Sequence, residues 1–189
     1  MATVDKESAN WRLFGGGGLL VGGLLWLIAA IVSYAAPGPI GLWLGLIGVL
    51  VVGIALFFVA FGETGSNGAV GASGLGKVAL VVFGAGWVLI AVSQLLGALA
   101  VSAPDIIAKI AAVLIIVGGV VSALVIYQRN VAHGAARWVL FVPVIVGVLW
   151  AIAGPLGWVS FGSWWLGAVL AGLYAITGLL YLLNRKDVG

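Results

Sequence analysis

Six apolar stretches dominate this chain and leave little of it for anything else. They run approximately over Leu13–Ala35, Ile40–Phe61, Val78–Val101, Ile106–Tyr127, Trp138–Ala153 and Trp164–Leu183. A helix of roughly 20 apolar residues covers the hydrocarbon core of a bilayer. In lipid no water solvates a free peptide group, so a span of this kind must satisfy its backbone internally, as a helix. Charge, proline or a Gly/Ser cluster bounds each stretch. The fifth is short, and is expected to extend back to Ala135 or to sit tilted or partly buried. Only 7% of the 189 residues are charged, against roughly 25% in a soluble domain. The expected fold is therefore an all-α polytopic transmembrane bundle of six helices, one domain over residues 1–189.

The start of the chain also has some features of a cleavable leader. Lys6 and Arg12 precede an apolar run that ends in Ala35 and Ala36. Asp5 and Glu7 dilute the positive charge, however, and the run from Leu13 to Ala36 is longer than a usual signal core. It reads as a retained first span.

Charge in the connectors sets an orientation. Lys6, Arg12, Lys77, Arg129, Arg137, Arg185 and Lys186 fall on one side of the six-span arrangement, and Lys109 alone on the other. Cytoplasmic segments are enriched in Lys and Arg. Both termini are thus expected in the cytoplasm, which an even number of spans requires. The expected location is the cell membrane. Trp11 and Trp138 near one face and Trp158, Trp164 and Trp165 near the other suit the membrane interfaces, where indole rings are favoured.

The pattern recurs three times, over approximately 12–63, 77–130 and 137–186. Trp26, Trp87 and Trp150 fall in similar settings, 61 and 63 residues apart. A turn with proline follows each: Pro37 and Pro39, then Pro104, then Pro155. The second and third repeats end alike, in Tyr127-Gln128-Arg129-Asn130 and Tyr181-Leu182-Leu183-Asn184-Arg185, whereas the first ends in Phe61-Gly62-Glu63. Three tandem helical hairpins are expected.

The segments Leu19-Leu20-Val21-Gly22-Gly23-Leu24-Leu25-Trp26 and Leu46-Ile47-Gly48-Val49-Leu50-Val51-Val52-Gly53-Ile54, joined by a proline turn, carry a resemblance; Val144-Ile145-Val146-Gly147-Val148-Leu149-Trp150 echoes it. In these the chain resembles HdeD-like membrane proteins, which are built from two-helix repeats. The resemblance implies a bacterial stress-related role linked to acid resistance. It supplies no catalytic residues.

Few residues suggest chemistry. Gly71-Ala72-Ser73-Gly74-Leu75-Gly76-Lys77-Val78 spells a phosphate-binding loop up to its last position, where Val78 replaces the required Ser or Thr. No strand is expected before it, so no nucleotide is expected; Gly62 to Gly76 reads as a flexible connector. His133 is the single histidine. It has no partners for a metal site and reads as a solvated loop residue, with pH sensing as the functional alternative. Asp105 and Lys109 share a helix face and can pair at the start of the fourth span, or mark an ion entry point.

The middle thirds of the spans contain no Asp, Glu, Arg or His. Pumps and ion-coupled transporters usually need such groups there, and no acid pair, triad or metal-ligand cluster is present. Ser93, Gln94, Ser122 and Thr177 are the deepest polar side chains, suited to interhelical hydrogen bonds. Small residues form stripes: Gly15, Gly18 and Gly22; Gly41, Gly45 and Gly48; Ala108, Ala111, Gly118 and Ser122; Gly167, Ala171, Ala175 and Gly178. Such stripes let helices approach closely inside the monomer or against a partner. The reading is a non-enzymatic membrane protein that packs against a membrane-protein partner or a second copy of itself, as a stress protein or accessory subunit. It is expected to need no cofactor and to bind no nucleic acid. The alternative is a small transporter or channel with a weakly polar path through Ser93, Gln94, Ser122 and Thr177.

Overall fold

A computed structural model describes residues 11–61, 68–99, 101, 105–153 and 164–183 of the chain; for residues 105, 151–153 and 164 it describes the backbone. These residues form an all-α bundle of six helices. They are α1 (Trp11–Ala35), α2 (Pro39–Phe61), α3 (Gly74–Ala98), α4 (Asp105–Arg129), α5 (Phe141–Ala153) and α6 (Trp164–Leu183). All but α5 carry an apolar stretch long enough to cross a membrane. The protein is an integral, multi-pass membrane protein.

Local chemistry sets the helix ends. Ala36, before Pro37, leaves the helix at φ −144°, because the proline ring disfavours the helical region for its predecessor. Pro39 opens α2, where its missing N–H costs nothing. Ser73 caps α3 by accepting a hydrogen bond from Gly76 N–H at 3.2 Å. Asn130, at φ +57°, follows the last turn of α4 in the left-handed conformation common there.

The fifth span departs from its expected bounds at the start. Residues 134–137 form a short 3-10 helix and the regular helix begins only at Phe141. Pro143 is the reason. It has no N–H to give the Val139 carbonyl, which instead takes the Val142 N–H at 3.2 Å. At 1.5 Å per residue the described part of α5 is roughly 20 Å long; residues 154–163 lie outside the described part.

The start of α1 and the end of α6 lie together, with Trp11 edge-on to Tyr181 at 5.4 Å between ring centroids. This end of the bundle also carries Arg12, Lys77, Arg129 and Arg137 and is called the basic end; the opposite end holds the α1–α2 turn. Trp11 is fully buried against Tyr181 at this end. The first turn of α1, Trp11–Gly16, is π-helical.

Helix α1 is wedged between α2 and α6 by adjacent glycines facing opposite ways. A Cβ at Gly22 would lie 2.8 Å from Val52 N, and one at Gly23 would lie 2.5 Å from Ala175 N. Gly15 and Gly16 repeat the arrangement one heptad earlier, toward Val59 and Gly178. Gly48 meets Trp26 N, Gly53 and Gly84 meet each other's carbonyls, and Gly86 and Gly118 join α3 to α4. Lipid is as apolar as these side chains, so close backbone packing is what holds such helices together. The α1–α2 and α3–α4 pairs are thus tight hairpins. Among the described residues α5 rests mainly on α4, where Val144 packs over Gly119, and touches α6 only lightly, while α6 turns to α1.

The connector before α3 is packed where it is described. Ala69 and Val70 are fully buried, and Ala69 N–H donates to the Val59 carbonyl at 2.8 Å. A flexible linker does not describe residues 68–73; residues 62–67 lie outside the described part.

Candidate functional site

Rings from three helices meet in the bundle interior. Trp26 on α1 lies edge-on to Trp87 on α3 at 5.3 Å, and Trp87 lies edge-on to Tyr174 on α6 at 5.4 Å. Trp87 Nε1–H donates to the Tyr174 hydroxyl at 3.0 Å. That bond satisfies an indole N–H that would otherwise be stranded in an apolar interior. Phe83 completes the set beside Tyr174 at 6.5 Å. Phe83, Trp87 and Tyr174 are fully buried.

Above this set, toward the turn end, lies a cleft of about 410 Å³ lined by Trp26, Ala29, Ala30, Ser33, Gly41, Leu42, Gly45, Gln94, Gly97 and Gly167. Small residues on α1, α2 and α6 leave the space, and Trp26 lies at its aromatic side. Among the described residues Ser33 and Gln94 are its polar side chains, and no ionisable group lines it. A site of this composition can hold an uncharged or weakly polar group.

The four expected path residues are not brought together. Gln94 lines the cleft, whereas Ser93 is half-buried beside it and does not. Ser122 and Thr177 are fully buried and donate to the carbonyls of Gly118 and Leu173 one turn back in their own helices, the latter at 2.8 Å. From their positions along α3 and α4, Gln94 and Ser122 sit roughly 20 Å apart in depth. The ring set lies between those depths.

The glycine positions have definite roles. Gly41 faces Ser33, Gly45 faces Ala29 and Gly48 faces Trp26, so this stripe joins α2 to α1. Gly15, Gly18 and Gly22 form the other half of that contact. Gly118 abuts Phe83 and Ala79; Ala171, Ala175 and Gly178 abut α1. Asp105 opens α4 and Lys109 is exposed one turn later, but the Asp105 side chain, and so the expected pair, lies outside the described residues. His133 is an exposed loop residue with Nδ1 3.1 Å from the Val131 carbonyl. No group of acids, histidines and cysteines suited to a metal occurs among the described residues.

Sequence reasoning marked Trp26 and Trp87 as repeat equivalents but not as partners, and passed over Tyr174 and Ser33. The 61-residue spacing was the available signal for the tryptophans. Nothing in the sequence aims the Tyr174 hydroxyl at an indole. No family model, curated protein or solved structure matches this chain.

Proposed function

We propose that this chain is a non-enzymatic membrane protein that acts by packing against a membrane partner or a second copy of itself, as an accessory or stress-related component of the HdeD-like kind. The observation that carries this reading is the filled interior. The Trp26–Trp87–Tyr174 set occupies the depth between the cleft and the two buried hydroxyls, and those hydroxyls are spent on their own helices. A transported ion would find no polar relay among the described residues. The orientation we propose keeps both termini cytoplasmic, because Arg12, Lys77, Arg129 and Arg137 share one end and Lys109 the other.

Two measurements test the reading. In liposomes the purified protein is expected to pass neither protons nor small ions. In mild detergent its mass by light scattering is expected to exceed that of a monomer. Flux that falls on Gln94→Ala would favour the transport alternative, and a lone monomer with no co-purifying protein would count against the packing role.

A further inference from the structure

At the basic end, one guanidinium is held in place by a single hydrogen bond among the described residues. Arg137 Nε–H donates to the Tyr127 carbonyl at 2.8 Å, and its Cζ lies 4.1 Å from the centre of the Tyr127 ring. Trp138 packs on the same tyrosine at 4.2 Å and Phe141 at 6.3 Å. Both Tyr127 and Arg137 are half-buried, while Trp138 is 54% exposed. A guanidinium has five N–H donors, and only one is used among the described residues. Arg129, exposed at the last turn of α4, has no described partner either. The described residues include a single acid, Asp105, at the far end of α4. No described carboxylate can reach this pair.

Tryptophan and tyrosine beside the arginine place the loop at headgroup level. The commonest anion there is a phosphodiester, and a pre-oriented guanidinium can grip two of its oxygens.

We propose that Arg137 forms a binding site for the headgroup phosphate of an anionic phospholipid, framed by Tyr127 and Trp138, with Arg129 adding positive charge at the same end. The net charge of +3 favours a headgroup with net negative charge over a zwitterionic one.

Native mass spectrometry of the full chain from mixed micelles tests this, using phosphatidylglycerol and phosphatidylcholine as competing probes. The wild-type protein is expected to retain phosphatidylglycerol preferentially. Arg137→Gln should weaken that retention about fivefold, the factor one basic residue carries at a charged surface. Arg137 also braces its loop, so Arg129→Gln, which removes no described internal bond, provides a second reading and should weaken retention in the same direction. Lys109→Gln, at the opposite end, should leave it unchanged. Equal loss in Lys109→Gln, or no lipid preference in the wild type, would overturn the proposal. So would displacement of the lipid by millimolar inorganic phosphate, which would make the ligand a free anion.

Discussion

A methyl group added at Gly48 would sit 2.6 Å from the backbone nitrogen of Trp26. Backbone cannot swing aside as a side-chain tip can, so the two helices must part. Gly48→Ala is expected to lower stability by about 1–3 kcal/mol, the usual cost of overpacking. Gly172, in the middle of α6, has nothing within 4 Å of the same added atom. Gly172→Ala is expected to be neutral or to stabilise by up to about 1 kcal/mol, because alanine is the better helix former. Titration with a denaturing detergent, followed by helical circular dichroism, reads both. Trp87→Phe removes the donor to Tyr174 and strands the hydroxyl. Hydrogen bonds between membrane helices average about 0.6 kcal/mol and reach about 1.7, so a loss in that range, beyond the change in ring size, is expected in the same titration.

At the scale of the element, α5 is the odd helix. Its first turn is poorly bonded around Pro143, and among the described residues it touches α6 only lightly. α3 lies between α2 and α4 with glycine contacts on both sides. Local opening follows packing density and hydrogen bonding. In micelles, backbone amides of residues 141–146 are therefore expected to exchange with deuterium faster than those of residues 80–88, as mass spectrometry of peptic fragments would show. Equal protection would mean that α5 is held by contacts beyond the described residues. The proline that shortens α5 was legible in the sequence: Pro143 lies inside the stretch from Trp138 to Ala153. A hydropathy reading passes over it, because proline interrupts hydrogen bonding without adding charge.

For the whole molecule, the chain contains no cysteine, so single cysteines report topology without background. Ala72→Cys lies at the basic end and Gly38→Cys in the α1–α2 turn, and both positions are exposed. The charge bias predicts that a membrane-impermeant maleimide added to intact cells labels Gly38→Cys and spares Ala72→Cys. The reverse pattern would invert the orientation. Labelling of both from one side would contradict a membrane-spanning α1 and α2.

The sequence by itself determined the solvent, the helix class and most helix boundaries. Those follow from local quantities: the length of each apolar run, the positions of prolines, and the placement of a few charges. It also contained the glycine stripes, though only as faces without partners. Tertiary structure decided which faces meet. Gly22 and Gly23 are neighbours in the chain, yet one serves α2 and the other α6, and no local rule distinguishes them. It decided as well that Trp11 is buried against Tyr181, that Ala69 and Val70 fold into the core, and that Trp87 bonds to Tyr174, 87 residues away. In a bilayer every helix surface is similarly apolar, so hydropathy carries no information about pairing. Shape does, and shape complementarity exists only once two helices are placed side by side.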